Sequence, residues 1–153
     1  MPPDQEPRRE RVLAAVAARL GTIQAGAAYW ATPALVTRAL LGADAYRAEL
    51  EIGPVYGVMR SIGSRLEPDA QGTYEDTFRF TVEAYVRERS GVLAGTWLER
   101  AWADQLACLL GERTLGGLVL TLRPESTDTD EGGLEPVAWV SQTWAAVMPA
   151  TYD

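Results

Sequence analysis

The sequence predicts an α+β fold, a mostly antiparallel twisted sheet with two helices packed on one face and a long β-hairpin. Three observations lead there: apolar residues recur at helical spacing in two separate stretches, a two-residue alternation runs through Tyr74 to Arg87, and another runs from Val137 to Met148.

In chain order, residues 1–7 are polar and proline-rich and are expected to be a flexible segment ahead of a single domain, residues 8–153. Pro7 to Ile23 places Val12, Leu13, Val16, Leu20 and Ile23 on one helical stripe, with Pro7 in the first turn. Gln24-Ala25-Gly26 is expected to end that helix. Tyr29 to Pro33 reads as extended, because the residue before a proline is pushed toward β geometry. Ala34 to Leu41 is ambiguous in period and is assigned to a strand.

Val55 to Leu66 and Tyr74 to Arg87 form the hairpin about a turn-rich stretch, Glu67 to Gly72. Phe78, Phe80, Val82, Ala84 and Val86 share one face of its second strand. Arg79, Thr81, Glu83 and Tyr85 share the other, so that side of the sheet is wet or meets a partner. Gly53, Gly57 and Gly63 mark bulges or close approaches.

The second helix is expected to start at Thr96 as N-cap, with Glu99 at capping-box spacing. It carries Leu98, Ala101, Trp102, Gln105, Leu106 and Leu109, and Gly111 closes it. Leu115 to Arg123 reads as a buried strand and Pro124 to Gly133 as an exposed acidic loop. In the final strand Val137, Trp139, Ser141, Thr143, Ala145 and Val147 lie on one side.

Composition narrows the function. A net charge of −7 argues against a protein that grips phosphate backbones. All 14 basic residues are arginine and there is no histidine, which removes the commonest general base, metal ligand and partner of a nucleophilic serine or cysteine. The single cysteine, Cys108, falls in a helical pattern and reads as a small buried hydrophobe. The N-terminus has charge but no apolar run after it, so it predicts no secretory signal and a cytoplasmic chain. The longest apolar candidate, Leu115 to Leu122, is far too short to span a membrane.

Local motifs point the same way. Glu75 and Asp76 are consecutive in a strand and cannot share a proton. Glu125 to Gly133 offers oxygen ligands without calcium-loop spacing. Gly116-Gly117 follows a helix and opens a strand, the reverse of a phosphate-cradling loop. Ser61, Ser64, Ser90, Ser126 and Ser141 lie in no nucleophile elbow. No catalytic residue, metal or cofactor is therefore assigned, and the chain is not expected to be an enzyme. Five tryptophans are many for 153 residues. Trp102 fits the buried helix face. Trp139 and Trp144, five positions apart in one strand, must face opposite ways, and at least one is available to an interface.

With these elements in order, the chain resembles the tail terminator proteins of long-tailed phages. The resemblance spans Arg11 to Tyr152 and rests on the opening helix Arg11 to Leu20, Ile23 to Tyr29, Val36-Thr37-Arg38, the strand Phe80 to Val86, Trp102 to Leu106, Thr114 to Leu118 and the acidic Ser126 to Glu131. It implies a virion structural protein, assembled in the host bacterial cytoplasm, that forms a homo-oligomeric ring, a hexamer, on the tail tube. Such a ring ends tube polymerisation, supports head-tail joining through a connector or neck protein, and lets DNA pass without specific binding. Arg79, Glu83, Tyr85, Trp139 and Trp144 are the expected subunit or tail-tube contacts. Asp128, Asp130 and Glu131 are the expected loop or channel charges. The alternatives are a neighbouring neck or tail-completion protein, and a small-molecule-binding α+β barrel with a cavity at Trp139 or Trp144.

Overall fold

The computed structural model describes residues 7–68, 74–130 and 136–149. Apart from Pro7, the expected flexible segment falls outside them. The elements are α1 (Arg8–Leu20), β1 (Leu35–Thr37), a 3₁₀ turn (Ala43–Tyr46) running into α2 (Arg47–Leu50), β2 (Val55–Pro68), β3 (Tyr74–Arg87), α3 (Ala94–Leu110), β4 (Thr121–Thr129) and β5 (Val137–Pro149). The five strands form one sheet in the order β1-β2-β3-β5-β4. Only β1 and β2 pair in parallel; the other pairings are antiparallel. The α+β class, the hairpin and the two helices on one face are as the sequence predicts.

That face is built by the two periodicities meeting. Val12, Leu13, Val16 and Leu20 of α1 and Leu98, Ala101 and Leu109 of α3 share one core with Tyr56 and Val58 of β2 and Phe78, Phe80, Val82, Ala84 and Val86 of β3. Burying such a side chain fully is worth about 1.5–3 kcal/mol. The Tyr56 hydroxyl crosses this core and donates to the Ala101 carbonyl at 2.9 Å, tying β2 to α3. Its phenol is pushed above its ordinary range by burial, then by the Asp104 charge. The α1 helix ends at Leu20 rather than at Gln24, yet Ile23 keeps its place in the core through a turn closed by Leu20.

Five expectations need correction, the first being the strand assigned to Ala34 to Leu41, which is confined to Leu35–Thr37. Thr96 is not an N-cap: α3 starts at Ala94 with Leu93 extended at its cap and no side-chain cap bond, because the buried stripe already begins at Ala94. Residues 115–120 are turn, not strand. Leu115, Gly116 and Gly117 take φ values of 50°, 71° and 89°, a left-handed run that the two glycines permit. The acidic loop is instead strand β4 as far as Thr129; Pro124 is tolerated because β4 is an edge strand, and its register slips between Pro124 and Thr127. Residues 131–133 of that loop, Glu131 among them, lie outside the described residues. Finally, α2 and its 3₁₀ turn were not foreseen; they cover the opposite sheet face at one corner, where Tyr46, Leu50 and Val55 form a second small core.

The glycine expectations hold where the structure tests them. A Cβ on Gly53 would stand 2.4 Å from the Thr32 carbonyl oxygen, and one on Gly57 would stand 2.6 Å from Leu40 Cβ. Gly63 falls within the register shift between Arg60 and Ser64.

Candidate assembly surface

The face of the sheet that α1 and α3 leave uncovered is where strand alternation puts Arg79, Thr81, Glu83 and Tyr85 of β3 beside Trp139, Ser141 and Thr143 of β5. All seven are half-exposed. Arg79 is held within its own chain: its guanidinium donates to both Glu125 carboxylate oxygens, at 2.8 and 3.2 Å. Since β5 lies between β3 and β4, the pair crosses above Ala145, the register partner of Arg79, and Ala145 is buried together with its same-face neighbours Thr77 and Val147. Tyr85 leans on Tyr46, with ring centroids 6.4 Å apart.

Glu83 stands opposite Ser141. Partial burial raises its carboxyl above the usual range, and a hydrogen bond with Ser141 pulls it partly back. A carboxyl raised in the folded state is a cost in its charged form. Glu83→Gln should therefore raise stability at pH 7, by less than about 1 kcal/mol given solvent screening. That advantage should shrink as pH falls through the folded pKa and vanish below the ordinary glutamate value of about 4.3. Urea midpoints of both proteins between pH 3.5 and 7 check this; a gap that widens in acid contradicts it.

The two β5 tryptophans do face opposite ways, and they part company as site residues. Trp139 is on the outer face. Its backbone N–H donates to Asp130 Oδ1 at 3.2 Å. Trp144 is fully buried and its indole donates to Gln105 Oε1 at 3.0 Å, so it is core and not a contact residue. Among the described residues a shallow surface cleft lies away from it, between Leu50, Pro54, Arg89 and Trp97. Asp128 is exposed at the β4 edge, in register with Ser141.

Buried polar groups lock the elements that carry this surface. Gln142 Oε1 accepts from Trp102 Nε1 and Thr127 Oγ1, and its Nε2 donates to the Ser126 and Thr143 carbonyls, which pins the β4 bulge onto β5 and α3. Asp104, 2% exposed, accepts the backbone N–H groups of Trp30 and Ala31 at 3.0–3.1 Å and so fastens the loop after α1 to α3. Burial raises the Asp104 pKa, while those N–H bonds lower it.

Sequence reasoning missed one arrangement altogether. The Arg89 guanidinium lies 4.1 Å from the centre of the Trp97 ring, and Arg100 lies 4.8 Å from Trp97 and 4.6 Å from Trp30. These four residues form an alternating arginine-tryptophan ladder ending in Trp30, which is 59% exposed. Arg100 and Trp97 are one helical turn apart and were readable as neighbours. Trp30 and Arg89 arrive from distant segments and were not.

Among the described residues there is no cluster of three or more acidic, cysteine or histidine side chains that could hold a metal ion, and no helix is long and apolar enough to cross a membrane. Comparison of the chain with protein-family models and with curated proteins finds no match.

Proposed function

We propose that this chain is a virion structural protein of a long-tailed phage, a tail terminator. Copies would join head to tail into a ring, six-membered as the resemblance implies. The ring caps the tail tube, ends its polymerisation and presents a surface to the head-side connector or neck protein. The observation that carries this is the shape of the sheet. One face is sealed by α1 and α3, the other stays half-exposed from Arg79 to Tyr85 and from Trp139 to Thr143, and the terminal strands β1 and β4 lie on opposite flanks.

A closed ring needs two different patches on each protomer, and opposite flanks supply them. Free association is restrained at β4, where Pro124, the bulge and the charges Arg123, Glu125 and Asp128 blunt the edge. A net charge of −7 suits a ring through which DNA slides without sticking. The direct assay adds purified protein to polymerising tail tube protein. Tubes capped at one end with a narrowed length distribution are expected; tubes whose lengths and ends are indifferent to the protein would overturn the proposal.

A further inference from the structure

We infer that the arginine-tryptophan ladder is the surface by which one copy of this chain seats the acidic β4 edge of the next. The inference rests on the ring proposed above and names its contact. The ladder has the makings of an interface: Arg89, Trp97 and Arg100 are half-exposed and Trp30 is open. Trp30 is 59% exposed, and Leu93 and Ile52 at the same end of the molecule are 60% and 69% exposed. Ile52 adjoins Gly53 and Pro54, which share a cleft with Arg89 and Trp97.

Tryptophan and arginine are the residue types most enriched where interfaces carry their energy. The ladder is also built rather than incidental. Asp104 holds the Trp30 backbone against α3, and the Trp97 indole donates to the Arg89 carbonyl at 3.1 Å, so both rings are fixed for the guanidinium groups between and beside them.

Charge selects the occupant. Among the described residues neither Arg89 nor Arg100 is within ion-pair distance of a carboxylate; both are set over ring faces instead. In a chain of net charge −7, two such arginines on an apolar patch call for an acidic partner. The β4 edge offers one in Asp128, which is exposed. Position agrees with charge. The two are separate patches: Arg89 follows β3 and, with Trp97 of α3, borders Gly53 and Pro54 where β2 begins, whereas Asp128 lies on the terminal strand β4, beyond β5. A basic aromatic patch and a separate acidic edge form the two unlike halves of a head-to-tail contact.

The test is a charge swap read by assembly. Wild type, Arg100→Glu, Asp128→Arg and the double variant are compared for closed particles, free and on tail tube ends, with circular dichroism melting as the check on folding. Each single reversal should weaken assembly at least about tenfold, and the double variant should recover most of it. Trp30→Ala should weaken assembly without changing the melting curve, and raising salt from 50 to 500 mM should weaken wild-type assembly. If rings form and Arg100→Glu assembles like wild type, the ladder is not the contact, though the ring stands. If both singles fail and the double does not recover, the acidic β4 edge is the wrong occupant. Wild type that forms no closed particle, free or on tubes, removes the ring itself.

Discussion

Trp144→Ala should lower stability by about 3–5 kcal/mol, a large part of the 5–15 kcal/mol that holds a typical domain together. Trp144 is fully buried between the sheet and α3, among Leu122, Val140 and Ala146. Its removal opens a cavity that two helices and three strands cannot jointly close. A second loss adds to the first. Gln105, also fully buried, accepts from the Trp144 indole, and its Nε2 already lacks a hydrogen-bond partner. Without the indole the whole amide is stranded, and each such buried group costs about 1–3 kcal/mol. Trp144→Phe separates the two effects: it keeps most of the ring and should lose about 1–2 kcal/mol. Trp139→Ala, on the outer face, should cost clearly less than Trp144→Ala. Urea denaturation with unchanged slope checks the series, and equal losses at both tryptophans would contradict the assigned faces.

Asp104→Ala should cost about 2–4 kcal/mol through a different cause. Its carboxylate accepts from Trp30 and Ala31, and the Ala31 donor is buried, where water does not replace a lost acceptor. Asp104→Asn keeps one acceptor oxygen and should lose less. The damage should be local before it is global. Amide exchange at Trp30 and Ala31 should quicken well ahead of the strands, and Trp30 should leave Arg100, so Asp104→Ala should also weaken assembly. Unchanged exchange at these two amides would show that the carboxylate does not hold the loop.

What the sequence disclosed follows from how local each signal is. The hairpin was legible nearly to the residue, because Phe78 to Val86 alternate against Arg79 to Tyr85 and turn formers separate the strands. The α1 stripe was legible for the same reason. Strand β4 was not, since an edge strand exposed on both faces has no alternation to show, and Pro124 reads as a breaker until its solvent-side position is known. The Thr96 capping box matched in spacing and lost to packing at Ala94. Opposite facing of Trp139 and Trp144 could be deduced from their separation, but which of them the helices cover could not. The Arg89, Trp97, Arg100 and Trp30 ladder joins three segments, and no periodicity within one element encodes such a meeting.

Copies of this chain are proposed to close into a ring at the tail tube. Particle mass by light scattering, taken across a concentration series with and without tube ends and paired with negative-stain imaging, tests it most directly. A discrete closed multiple of the protomer, formed in solution or only on one end of the tube, is the expected result. A strict monomer that never caps or shortens tubes would contradict the claim.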